Sequence, residues 1–116
     1  MQTQEHTQTA RDFLDDADHQ FSSGHVLQGS EKLWGAAAHA VMTVAQDRGW
    51  EYGNHNALKI AVGKLIAEHD AQELRGGFAA AQQFHANFYH GFMEDDDVTF
   101  ARPLVHDFVE RVLSYA

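Results

Sequence analysis

The stretch from Ser30 to Trp50, SEKLWGAAAHAVMTVAQDRGW, decides the fold. Trp34, Ala37, Val41 and Val44 recur at i, i+3, i+7 and i+10, which is one stripe of an α-helix. Ala36, Ala38 and Ala40 widen that stripe with side chains small enough to let another backbone come close. The segment therefore predicts a central helix, starting near Val26 and running to about Asp47, packed tightly against its neighbours.

The flanking segments repeat the pattern. Upstream, Ala10, Phe13, Leu14, Ala17 and Phe21 form an apolar stripe with Arg11, Asp12, Asp15, Asp16 and Asp18 between them. Ser22, Ser23 and Gly24 close that first helix, because glycine adopts the left-handed conformation at little cost. Downstream, RGWEYGNHN (48–56) combines two glycines, two asparagines and two aromatics, the composition of an ordered loop. A third helix is expected after a cap at Asn54 or Asn56, burying Ala57, Leu58, Ala61, Val62, Leu65 and Ile66. Asp70 and Glu73 read as a capping pair for a fourth helix, with Leu74, Phe78, Ala81, His85, Phe88 and Phe92 as its stripe and Gly91 as its exit. Gly76 and Gly77 weaken that helix by about 1 kcal/mol each relative to alanine, so they mark a close crossing or a kink. The acidic run Glu94 to Asp97 reads as a solvated loop. Pro103 is the expected start of a fifth helix, buried through Leu104, Val105, Phe108, Val109, Val112 and Leu113.

Five helices with short connections imply an all-α, antiparallel up-and-down bundle. A chain of 116 residues suits one domain, with any disorder expected at the ends, residues 1–8 first. The absence of cysteine excludes a disulfide framework and thiolate metal sites. No signal-peptide pattern or membrane-spanning apolar run is present, so the expected location is the cytoplasm, with no membrane partner. A formal net charge of −9, with eight Lys and Arg scattered along the chain, argues against nonspecific binding to nucleic-acid phosphates.

The order of a helix, a glycine turn, the SEKLWGAAAHAV helix and an Arg-Gly-Trp loop with a following histidine resembles the PaREP1-like branch of the HEPN superfamily, over about residues 10–66. That resemblance implies a HEPN-like helical bundle, commonly a homodimer. The superfamily it resembles is associated with nucleotide binding and, in toxin members, with RNA cleavage. Catalytic members carry an arginine, four to six intervening residues and a histidine; Arg48 and His55 have six between them. An imidazole as general base with a guanidinium against the scissile phosphate would make this pair a metal-independent RNase. Here Gly49 follows the arginine and the pair brackets a mid-chain loop, so the alternative is an Arg and a His that pin the loop.

Three aromatics, Trp34, Trp50 and Tyr52, are candidate ligand-binding residues, since aromatic faces stack on bases; the competing role is core packing. His85, on the stripe of the fourth helix, is either a hydrogen-bonded core histidine or part of a site with His90 or an acid from another helix. No histidine and acid set repeats the pattern of di-iron bundles, so no metal and no cofactor is expected. The favoured reading is a non-catalytic homodimeric module that binds a partner protein or a small, nucleotide-like ligand. The alternative is the Arg48 and His55 RNase.

Overall fold

A computed structural model describes residues 2–116 of the chain. Five helices follow in order: α1 (Gln2–Ser22), α2 (Val26–Arg48), α3 (His55–His69), α4 (Glu73–His90) and α5 (Asp95–Leu113). Among the described residues there is no strand. The bundle is all-helical, as the periodicity predicts, and no helix is long and apolar enough to cross a membrane.

The central helix is α2, which packs against each of the other four. Its alanines and valines explain why: Ala36, Ala37, Ala40, Val41, Val44 and Ala45 are fully buried, so the helix is apolar nearly all round. Its closest partner is α1. There Gly29 and Gly35 let the α1 rings approach, for a β-carbon at Gly29 would stand 3.0 Å from Phe21 and one at Gly35 3.2 Å from Phe13. Gly24, at φ 80°, makes the turn between the two helices. Helix α1 begins at Gln2; Met1 lies outside the described residues.

Helices α4 and α5 close the bundle on the other side of α2. Gly77 marks a close crossing, since a β-carbon there would lie 2.7 Å from Cβ of Phe108. A buried polar chain fixes the α4 to α5 connection. The Asn87 amide donates to Ser30 Oγ at 3.1 Å, and the backbone N–H of Met93 donates to Asn87 Oδ1 at 2.8 Å. Asn87 is 1% exposed, so leaving either half unpaired would cost the desolvation of a buried polar group.

Two helix starts differ from the sequence expectation. Asp70 does not open α4; it sits at φ 50° as the left-handed cap that ends α3, its N–H bonded to Ile66 O. Aspartate tolerates that conformation better than most residues, and Gln72 precedes α4 instead. Likewise the acidic run is not a loop. Glu94 and Asp97 form a reciprocal capping box, with the Glu94 N–H donating to Asp97 Oδ2 at 2.9 Å. Asp95, Asp96 and Asp97 occupy the first turn, where the helix dipole favours negative charge. Pro103 lies inside α5, and Arg102 before it is helical. Leu104, expected to be buried, is 39% exposed, and Phe92, beyond the end of α4, is 49% exposed.

Candidate functional site

The loop after α2 is built by three local devices. Gly49, at φ 70°, ends α2 in the left-handed conformation, and the N–H of Trp50 returns to Ala45 O at 2.8 Å. Asn54 then starts α3, its side chain accepting from the N–H of Ala57 at 2.9 Å. Between these fixed ends Tyr52 and Gly53 lie over the face of α2 that carries Trp34, Ala38 and Met42 at i, i+4 and i+8.

A cavity of about 230 Å³ results, lined by Trp34, Ala38, Met42, Tyr52, Gly53, Asn54, His55, Leu58 and His85. One wall is the Trp34 indole. The His55 ring stacks on it at 5.1 Å between centroids and 16°, and the His85 ring at 4.9 Å and 28°. Phe78 meets the same indole at 5.9 Å. Each imidazole is oriented by a second partner. The Gln82 side-chain amide donates to His55 Nε2 at 2.7 Å, and His85 Nδ1 bonds Glu31 Oε1 at 2.8 Å. Gln82 and Glu31 were not legible as site residues, because each acts across helices rather than within one.

Two more histidines border this region. His6 packs edge-on against Tyr52 at 5.8 Å, and its Nδ1 lies 3.1 Å from His39 Nδ1. Burial, reinforced by the neighbouring His6, lowers the His39 pKa. On the other side Tyr89 meets His85 edge-on at 5.4 Å and is 65% exposed, so the aromatic cluster continues to the surface.

Of the residues singled out in the sequence, Trp34, Tyr52, His55 and His85 come together. Arg48 and Trp50 do not join them. The Arg48 guanidinium donates to both carboxylate oxygens of Glu68, at 2.6 and 2.8 Å, and lies 5.3 Å from the Trp50 ring centre. Lys64 sits 4.9 Å from the same ring. Trp50 lines a separate hollow with Glu51, Asn54, Asn56, Ile60 and Lys64. Arg48 and His55, neighbours in sequence, are thus held by different partners.

His85 takes its acid from α2, at Glu31, rather than pairing with His90. Among the described residues no three His, Asp or Glu side chains cluster so as to hold a metal ion. A larger groove, about 550 Å³, opens between α4 and α5. Its rim charges are mostly paired with one another or with α1: Arg111 with Glu73, and Glu110 with Arg11. That leaves less unspent chemistry there than around Trp34.

No curated protein and no solved structure matches the chain. A family model does match, that of the Archaeal PaREP1/PaREP8 family, over residues 5–109. This span takes in every residue lining the Trp34 cavity and all but the ends of the bundle, and the chain belongs to the Archaeal PaREP1/PaREP8 family.

Proposed function

We propose that this chain is a non-catalytic, homodimeric helical module that binds a planar, nucleobase-like ring in the pocket of Trp34, Tyr52, His55 and His85. One observation carries the reading: residues from α2, the following loop, α3 and α4 converge on one cavity, with two oriented imidazoles stacked on a single indole. Stacking of a base on an aromatic side chain contributes about 1–3 kcal/mol, and the imidazole nitrogens supply directional partners for a ring edge. At about 230 Å³ the cavity is smaller than the roughly 300–1,000 Å³ of drug-sized ligand sites, which favours one flat ring system over a bulky ligand.

The geometry weighs against RNA cleavage by Arg48 and His55. The guanidinium that would meet the scissile phosphate is already bonded to Glu68, and no Lys or Arg lines the cavity beside His55. The exposed aromatics Tyr89, Phe92 and Phe100 support self-association, because exposed apolar surface is commonly covered by a partner. The helical architecture and the loop after α2 also favour placing the family within the HEPN superfamily.

Calorimetric titration with adenosine, guanosine, cytidine and uridine tests the pocket. Saturable binding of at least one, abolished in Trp34→Leu and retained in Trp50→Leu, is the expected result. Absence of saturable binding at millimolar concentrations would end the reading. Sedimentation should show a dimer at micromolar concentration, and a strictly monomeric species would remove that part.

A further inference from the structure

The chain has eight Lys and Arg against 17 Asp and Glu, and most of its cations find an acid. Arg11 pairs with Glu110, Lys32 with Asp16, Arg48 with Glu68, Arg102 with Asp18 and Arg111 with Glu73. Lys64 lies over the Trp50 ring. Among the described residues, Lys59, Lys64 and Arg75 have no carboxylate partner; Lys64 lies over an indole, whereas Lys59 and Arg75 line the same cleft between α3 and α4.

That cleft has a volume of about 170 Å³ and no acid in its lining. Lys59 comes from α3 and Arg75 from α4, and apart from Gln82 the rest of the lining is apolar, Val62, Ile66 and Phe78 among it. Gly63 is part of the lining, and a β-carbon there would meet nothing within 4 Å. A second basic hollow offers a control. Around Pro103, Arg102 and His106 also line a depression, but both bond Asp18, so the Arg102 charge is already answered. In a chain of net charge −9, two unanswered cations on one acid-free cleft constitute a local anion-binding field.

No residue lines both the cleft and the ring pocket, but two residues of the cleft wall touch residues of the pocket. Gln82 lines the cleft while its amide bonds His55, which lines the pocket. Phe78 lines the cleft and touches both the Trp34 and the His55 rings, at 5.9 and 6.2 Å. We propose that the α3–α4 cleft is an anion subsite in which Lys59 and Arg75 hold the phosphoryl group of a ligand whose ring occupies the Trp34 pocket. The guanidinium suits bidentate contact with phosphate oxygens, and the ammonium adds a compact charge. Assignment of both sites to one phosphorylated ligand rests on the ring-binding reading above; the anion subsite itself rests on the cleft.

Calorimetry with adenosine 5′-monophosphate, adenosine and inorganic phosphate separates the two. On the wild type at low salt, the monophosphate should bind about tenfold more tightly than adenosine, an advantage that shrinks as ionic strength rises. The double variant Lys59→Gln/Arg75→Gln, altered only at exposed positions, should lose that advantage and keep its affinity for adenosine. Gly63→Leu, which fills the cleft and removes no charge, should weaken the monophosphate in the same way. Equal binding of monophosphate and nucleoside, or an unchanged double variant, would overturn the subsite and leave the ring pocket standing. Phosphate bound by the wild type and not by the double variant, with adenosine unbound, would uphold the subsite and remove the ring reading.

Discussion

The two flanks of the loop after α2 start from similar material and finish differently. On one flank the Arg48 guanidinium is held by the Glu68 carboxylate, and the Trp50 indole has Arg48 and Lys64 near it beside a hollow of about 270 Å³. On the other, Trp34, Tyr52, His55 and His85 surround an open cavity. Both flanks contain a tryptophan, a basic side chain and a hollow; on the first the guanidinium is held by a carboxylate, and on the second two aromatics and two imidazoles converge on one cavity. An aromatic beside a cation is therefore not a site by virtue of its residue types; what matters is whether the chain has already satisfied them.

The largest test of this contrast is truncation of each indole. Trp34→Ala should destabilise the fold by about 3 kcal/mol, because the ring is wedged among His55, His85 and Phe78 in a half-buried position, and it should abolish ring binding. Trp50→Ala should cost less, about 1–2 kcal/mol, and leave binding unchanged. Denaturant unfolding with parallel titration would measure both, and equal losses would erase the distinction between the flanks. Next in size is the ion pair. A double-mutant cycle on Arg48 and Glu68 should return a coupling of about 0.5 kcal/mol, since side chains 28% and 42% exposed are partly screened by solvent. Loss of ligand binding in Arg48→Ala would move the functional site to the flank here read as structural.

The smallest effect concerns pH. Burial and the neighbouring His6 hold the His39 pKa below its ordinary value, so the unfolded chain takes up a proton there more readily than the folded one. The resulting stability is complete above roughly pH 6.5 and is lost as pH falls below that toward the lowered folded value. His39→Gln should flatten the fall in Tm between about pH 7 and pH 5 relative to wild type. A parallel decline in both proteins would show that His39 is not responsible. Because His39 meets His6, and His6 meets Tyr52, acid sensitivity belongs to the pocket flank.

Particular residues show how far the sequence reached. The buried face of α3, from Ala57 to Ile66, was readable because periodicity alone determines which side of a helix is apolar. Asn54 as its cap was readable for the same local reason. Asp70 was misread because its spacing to Glu73 imitates a capping box, whereas the backbone uses it in the left-handed conformation. The start of α5 was misread because Pro103 is a strong local signal, and the cap formed by Glu94 and Asp97 outweighs it. At the site, the residue types at Trp34, Tyr52, His55 and His85 were conspicuous, but their convergence was not. Trp34 was grouped with Ala37 and Val41 on a packing stripe, while in space it begins the Trp34, Ala38, Met42 face beneath the loop.

By itself, the sequence determined that this protein is a bundle of five helices around an alanine-rich centre, because helix periodicity, glycine stops and small side chains act over a few residues. Tertiary structure alone decided which polar groups were answered. His85 meets a carboxylate 54 positions away, His55 an amide 27 positions away, and Arg48 a carboxylate 20 positions away. Partners that only packing supplies hold Arg48 against α3 and orient the two imidazoles around the Trp34 cavity.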